Sequence, residues 1–535
     1  MFWGCVDALQ QLYSPPTIRK VTMKKGRAVK EAARWLMAKH RSILVGIVAV
    51  TLAVSLTLTL REPVATPEPE VAPVVYTAPI HPDPLTSHDE GLYTAIYDAQ
   101  SEGDFTLADE MITRLDSQLL LGHILAQRYL HEGYKTDANE LKYWLHAFAD
   151  HPQRGRIATL AARKGVKLKM IQTEKLLSGA GYIDHLGTKS MPSGWYHGLS
   201  LWRNKAYNKA AVQFEKVANT SNLNEWHKAA AYFWAHRAYA RAENERAEDM
   251  LDLAAEYPMS FYGMLANAKL NHSGNWMAAA PYVPSSLRRK PAVLRAQALA
   301  SIGREVEAEE ELRAIFSNLP RHERKAMVTL ASEFNLPNLQ VRLSRMKELT
   351  DEEALFASYP MPKAIAEVQT TVDSAMIFAI SRQESGFRPN VASHAGAVGM
   401  MQVLPSTANH IARHLGTELA TSDISRAGLK NADINVRLGA AYIQMLMRKP
   451  HVNGSWIHAI ASYNAGPGAV ASWARLTRNV DDPLLYIESI PYSETRNYVV
   501  QVLAHYWVYQ HLMGEQSITL QSLAAGAWPH YSNQS

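Results

Sequence analysis

Residues 377–405 read IFAISRQESGFRPNVASHAGAVGMMQVLP, from Ile377 to Pro405. In the first part Ile377, Ile380, Glu384 and Phe387 recur at helical spacing, so they are expected to share one face of a helix. That face is apolar except for Glu384. A carboxylate on a buried stripe is costly unless it is paired, hydrogen-bonded or protonated. Two readings fit: a structural Glu paired to an Arg, or a general acid whose pKa desolvation raises into the range useful near neutral pH. The helix alone leaves both open. Gly386 and Pro389 end the run. Gly396 and Gly399 then bracket a tight, small-residue turn before Met400-Met401-Gln402, where glycine permits close backbone approach.

Two further stretches follow, Ser462-Tyr463-Asn464-Ala465-Gly466-Pro467-Gly468 and Glu488-Ser489-Ile490-Pro491-Tyr492-Ser493-Glu494-Thr495-Arg496. Four motifs thus stand in order: Glu384-Ser385 with Gly396, Gly399 and Gln402; Asn435, Gly439 and Tyr442; Ser462 to Gly466; and Glu488 to Tyr498. Each pattern alone is weak. In this order they resemble the lytic transglycosylases of the Slt type, which share a goose-lysozyme-like fold. The resemblance is close over roughly 360–512 and looser over the helical region before it. One departure is Leu404, two residues after Gln402, where several Slt-type enzymes carry Met; the two side chains are similar in volume.

The resemblance implies a reaction and its residues. Glu384 would be the sole catalytic acid/base, protonating the glycosidic oxygen between N-acetylmuramic acid and N-acetylglucosamine. It would then take the proton of the C6 hydroxyl that closes a 1,6-anhydro ring. Tyr463 would lie against Glu384 or the developing oxocarbenium ion. Gln402 and Ser393 would hydrogen-bond the sugars, with Asn464 and Glu488 supporting the site. Asn435, Gly439 and Tyr442 read as a packing helix without chemistry. A hydrolytic muramidase is the alternative, and would normally need a second carboxylate to act on water. A catalytically idle peptidoglycan-binding scaffold is a third reading. No cofactor and no metal is implied. His410 and His414 are four apart, but no third ligand is evident in the sequence.

The rest of the chain sets the context. At 535 residues it is too long for one ordinary domain. A single cysteine, Cys5, excludes an internal disulfide framework. Residues 1–42 carry nine Lys/Arg against Asp7 and Glu31, a net +7. The total is +5, so residues 43–535 sum to −2 and offer no basic footprint for nucleic acid. Residues 43–60 form an uncharged, apolar run between Arg41 and Arg61. It is read as an inner-membrane anchor under a basic cytoplasmic tail, with a cleaved signal segment, or a start at Met23, as the competing readings. The Pro-rich residues 61–88 read as an extended linker.

Residues 89–355 read as helix after helix. Ala210-Phe214-Val217 recurs as Ala247-Leu251-Ala254 and Ala308-Leu312-Ile315, small-large-large at i, i+4, i+7. This resembles the second helix of a tetratricopeptide-type pair. Trp195, Trp202, Tyr232, Trp234 and Met264 read as packing residues. The expected architecture is therefore mainly all-α: an N-terminal transmembrane helix, an α-solenoid of helix pairs offering a surface to a protein partner, and a lysozyme-like helical catalytic domain at 356–515. Residues 516–535 are left as a tail. The domain from about 355 is expected to carry the activity by itself, in the bacterial periplasm, on peptidoglycan glycan strands.

Overall fold

The computed structural model describes residues 83–166, 191–272, 276–415, 423–477 and 480–531. The expected basic tail, the apolar run at 43–60 and nearly all of the Pro-rich linker lie outside them. Among the described residues no helix is long and apolar enough to cross a membrane. The regular elements there are helical, and strand pairing is limited to isolated bridges such as Ala392 with Val398 and Val398 with Val403.

The first helix, α1 (Ser87–Glu102), begins where Thr86 caps it through the Asp89 amide, so the linker gives way to helix before residue 89. Next come α2 (Phe105–Ile112), α3 (Leu121–Leu130), α4 (Ala138–Ala147) and α5 (Arg154–Arg163). After the undescribed 167–190, four helices pack in sequence: α6 (Ser193–Arg203), α7 (Tyr207–Ala218), α8 (Glu225–Arg241) and α9 (Arg246–Ala255). Helix α10 (Phe261–Lys269) lies on both α8 and α9. The short α11 (Ser285–Arg288) leads to the pair α12 (Pro291–Ser301) and α13 (Glu305–Phe316), then α14 (Arg321–Glu333), α15 (Pro337–Leu343) and α16 (Asp351–Ser358).

The three small-large-large triplets fall on α7, α9 and α13, each packed on the helix before it. Ala210, Phe214, Ala247, Leu251, Ala254, Ala308 and Leu312 are all buried. The small residue allows the close approach and the large ones fill the groove. Trp195, Trp202, Trp234 and Met264 are buried in one core with the α7 and α9 residues, and Tyr232 packs against it.

Helix α17 (Lys363–Ala366) precedes the helix that bears Glu384, α18 (Ser374–Ser385). Asp373 caps α18 through the Ala375 amide at 2.9 Å. Gly386 ends it in the left-handed conformation, φ 59°, which glycine adopts without a Cβ penalty. Two details depart from the single-stripe expectation. Ala375 through Gln383 are buried on every side of α18, because it is enclosed by neighbours rather than laid on a surface. Phe387 lies beyond the cap at φ 64°, so it leaves the helical face, although its ring remains buried.

Around α18 stand α19 (Pro405–Leu415), α20 (Ala432–Met447), α21 (Trp456–Ala465), α22 (Pro467–Leu476), α23 (Pro483–Ser489), α24 (Ser493–Leu512) and α25 (Ile518–Ala524). The long α24 runs along α18, and α10 packs on both α24 and α25.

Burial does not follow the expected domain limits. One apolar core joins residues from Trp195–Ala266 to residues from Val341–Ala524, and a second joins Leu85–Ile124 to Val283–Ala357. The 355/356 limit falls inside α16. Residues 516–531 are packed rather than a free tail. Leu523 is buried, the Trp456 amide donates to the Pro529 carbonyl at 2.9 Å, and the Tyr531 amide donates to that of Gly454 at 2.8 Å.

Candidate active site

The turn after α18 is held by side chains from three separate parts of the chain. Ser385 Oγ donates to the Met400 carbonyl at 2.6 Å and accepts from the Arg388 amide at 3.1 Å. Val398 and Val403 exchange both backbone bonds at 3.0 Å, closing a tight loop over Gly399–Gln402. Asn435, fully buried on α20, clamps this loop. Its Oδ1 accepts from the Met401 amide at 2.7 Å, and its Nδ2 donates to the Val398 and Leu429 carbonyls at 2.8 and 2.9 Å. A Cβ on Gly399 would stand 2.2 Å from that Nδ2, and one on Gly439 would stand 2.3 Å from Met401 Sδ. The spacing of the first two motifs is thus the spacing of a loop pressed onto a helix.

Tyr463 on α21 adds the third clamp, its hydroxyl donating to the Met401 carbonyl at 2.8 Å. The ring sits against Tyr442 with centroids 5.3 Å apart. Burial raises the phenol well above its ordinary pKa, and the Glu384 carboxylate adds to the shift, so Tyr463 faces Glu384 while its hydrogen bond goes to the loop.

Glu384 itself accepts from the Tyr498 hydroxyl of α24 at 2.6 Å. It retains partial exposure while its neighbours on α18 are buried. Burial raises its pKa from 4.5 to about 7; the Tyr498 hydrogen bond opposes the rise and the Glu494 charge adds to it. A carboxyl so poised is half protonated near neutrality, can donate a proton, and can take one back.

The other expected residues are placed as follows. Gln402 stands at φ 50° and spends its amide Nε2 on the Gly399 and Val391 carbonyls at 2.9 and 3.3 Å. Ser393 Oγ accepts from the Ala397 amide at 3.0 Å and is exposed at the tip of the loop. Asn464 Oδ1 accepts from the Thr495 hydroxyl at 2.7 Å, tying α21 to α24. Glu488 faces the other way. It accepts from the Tyr262 hydroxyl of α10 at 2.7 Å and lies 3.9 Å from Arg496. Burial raises its pKa, with Arg496 and Tyr262 opposing. Glu488 therefore joins the site's helices to α10, and the carboxylate whose charge bears on Glu384 is Glu494.

Reasoning from sequence gave no role to Tyr498 or Glu494, though both stand in the quoted fourth motif. Their i, i+4 spacing at the start of a helix is the signal that would have put them on one face. It also gave Asn435 no task beyond packing, where its side chain is a three-bond clamp.

Among the described residues the group with ligand atoms close enough to share an ion is His123, His151 and Glu311, all before residue 356. Arg295 already donates to both Glu311 oxygens at 2.7 and 2.8 Å, supplying the positive charge an ion would bring.

Comparisons with known proteins agree with this arrangement. Residues 361–485 match the family model of the Transglycosylase SLT domain, and 489–517 that of the soluble lytic transglycosylase helical domain. The soluble lytic murein transglycosylase of Salmonella typhimurium is 29% identical over 305 residues, covering 55% of this chain and 44% of that protein. The protein of the same name from Escherichia coli K12 is 27% identical over 314 residues, covering 57% of this chain and 46% of its own length. The chain thus spans about half the length of the curated relatives it matches. The crystal structure of the 70-kDa soluble lytic transglycosylase from Escherichia coli superposes with a TM-score of 0.55 at 16% identity, over 83% of this chain and 99% of that one, a likeness of fold. The first three motifs and the clamped loop fall within the stretch, residues 361–485, that matches the Transglycosylase SLT domain, and the fourth motif runs into the second match at 489–517.

Proposed function

We propose that this chain is a peptidoglycan lytic transglycosylase that cuts the β-1,4 bond between N-acetylmuramic acid and N-acetylglucosamine and leaves 1,6-anhydro-muramoyl ends. The observation that carries the reading is Glu384: a partly accessible carboxyl beside a clamped loop, raised to about 7, with one phenol donating to it. Protonated Glu384 gives its proton to the bridging oxygen as the bond from that oxygen to C1 breaks. The carboxylate then accepts the proton of the C6 hydroxyl as its oxygen bonds to C1. The nucleophile is already attached to the reacting sugar, so its effective concentration is high. No water is consumed, and the acid is regenerated in the same cycle. Tyr498 and Glu494 set the proton affinity of Glu384. The loop carbonyls and amides around Met401–Gln402 stay fixed by Asn435 and Tyr463, so the sugar meets a rigid wall.

One observation favours hydrolysis as the second reading. Glu494 stands close enough for its charge to raise Glu384, and a second carboxylate is what water activation requires. The products separate the two. Mass spectrometry of fragments released from purified sacculi is expected to give ends one water lighter than hydrolysed ones. Predominantly hydrated, reducible ends would assign the site to a muramidase. On the same reading the enzyme works in the periplasm, tethered through residues 43–60, because an uncharged apolar run follows a strongly basic segment. Fractionation of the full-length protein tests the tether: recovery in the membrane pellet supports it, and a soluble form beginning after Leu60 overturns it.

A further inference from the structure

A cavity of about 400 Å³ lies at the far end of α18 from Glu384, between the Thr370–Ser374 segment, α24 and the packed C-terminal residues. Its polar lining comprises Asp373, Glu515, Gln510 and Tyr506, with His530 and the hydroxyls of nearby Thr and Ser residues. Tyr506 Oη donates to Asp373 Oδ2 at 2.5 Å, and Gln510 Nε2 donates to Tyr506 Oη at 2.9 Å and to Asp373 Oδ2 at 3.4 Å. This chain fixes the orientation of the Gln510 amide, because only its nitrogen can donate to a carboxylate. The Gln510 oxygen is left without a partner, although the residue is only 2% exposed. An unpartnered buried acceptor is costly, so its retention calls for an explanation. Glu515 lines the same cavity, and among the described residues neither it nor Asp373 has an ion-pair partner.

The Tyr506 and Gln510 donors are therefore spent within this wall, and Asp373 Oδ1 also accepts from the Ala375 amide; the acceptors left are Gln510 Oε1 and the Glu515 carboxylate, beside the negative charge of Asp373. A ligand that completes them must donate hydrogen bonds and carry positive charge. The remaining walls choose among cations. Trp456, Tyr506 and Tyr531 line the cavity, with Trp456 centroids 5.7 Å from Tyr506 and 5.3 Å from Tyr531. Aromatic faces attract organic cations. The volume is more than ten times the roughly 30 Å³ that one water occupies in the liquid, too large for a bare ion to fill.

We propose that this cavity binds a primary alkylammonium group, its nitrogen on Gln510 Oε1 and the Glu515 carboxylate, beside the negative charge of Asp373, and its methylenes along the aromatic wall. Burial and the neighbouring Asp373 raise Glu515 to about 7, the response of a carboxylate that faces another without a cation between them. The proposal is independent of the chemistry at Glu384, since none of these residues touches the clamped loop. The group has two sources, a free alkyldiamine or the end of a lysine-type side chain on a peptide.

Isothermal titration of the full-length chain with 1,5-diaminopentane, Nα-acetyl-lysine amide and the uncharged pentan-1-ol tests it. Saturable one-to-one binding of a charged probe is expected, with none of the alcohol. Glu515→Gln should weaken it at least tenfold, while leaving glycan cleavage near the parent's. Binding of the diamine alone assigns a free amine, and binding of both a peptide-borne one. Absence of saturable heat with both charged probes, equal binding of the alcohol, or equal affinity in a folded Glu515→Gln protein would overturn the proposal.

Discussion

At Glu384 two neighbours pull the proton in opposite directions, and each can be removed. The Tyr498 hydroxyl donates to the carboxylate and favours the charged form. Tyr498→Phe should therefore move the alkaline limb of the kcat/KM profile to higher pH. Glu494→Gln removes a like charge and should move that limb to lower pH. Shifts of the same sign in both variants would mean that the limb reports another group. Glu384→Gln is expected to lose roughly 10²–10⁴-fold or more in turnover, with glycan binding retained. The same residue makes a stability prediction. Its pKa is 4.5 as an ordinary carboxyl and about 7 in the fold, so the folded state holds the proton more tightly than the unfolded chain. That stabilisation is complete below about 4.5 and is lost as pH rises through 7, a change of up to about 3 kcal/mol. Glu384→Gln should thus melt above the parent at pH 8 and close to it at pH 4, measured by thermal unfolding at both. Glu384 stood out in the sequence because a charge interrupts an apolar run. Tyr498 did not, because its partner lies 114 positions away and no local pattern records a contact of that range.

Between elements, the site depends on how closely a loop meets a helix. Gly439 is where α20 receives Met401, and a methyl there would press on Met401 Sδ, Cε and Cβ at 2.3, 2.8 and 3.0 Å. Met401 is fully buried, and its backbone is tied to both Asn435 and Tyr463, so it has little room to yield. Gly439→Ala should cost about 1–3 kcal/mol by overpacking. It should also lower kcat by more than the loss of folded protein explains, because the displaced backbone is the wall of the site. Gly91→Ala is the contrast. That glycine lies within α1 with nothing within 4 Å of the added methyl, and should gain about 0.5–1 kcal/mol from helix propensity. Chemical denaturation of both proteins checks the opposite signs. Much at this level was legible in the sequence: the helix ending at Gly386, the small-residue turn at Gly396–Gly399, and the core-packing triplets of α7, α9 and α13. The roles of Asn435 and Gly439 were not, because a pattern that marks a packing helix does not say what it packs on. Gln402 and Ser393 were singled out as sugar contacts; Gln402 Nε2 donates within the turn, and Ser393 Oγ accepts from the Ala397 amide.

Across the whole molecule, the helices before residue 356 complete the domain that carries Glu384. Phe261 of α10 stacks on Trp507 of α24, centroids 5.2 Å apart and planes 17° apart, and both rings are buried. Tyr262 donates to the buried Glu488, and Arg237 of α8 pairs with Asp482 at the start of α23. Composition marks a helical stretch and then a motif-bearing one, and a limit between them follows naturally. It misses that α24 has apolar residues on all its faces, a pattern that requires cover from more than one side. A fragment of residues 356–531 would expose Trp507 and leave Glu488 without its phenol, so it should aggregate or melt well below the full chain. A fragment of residues 191–531 keeps α6–α10 and should fold and cleave glycan. In the full chain, Phe261→Ala should cost about 3–5 kcal/mol through the cavity left beside Trp507. Tyr262→Phe removes only the hydrogen bond and should cost about 1–3 kcal/mol, the range for leaving a buried acceptor short of a partner. Thermal melts and turnover of the two fragments decide the matter. If the 356–531 fragment is as stable and active as the 191–531 one, the shared core is dispensable and the catalytic domain stands alone.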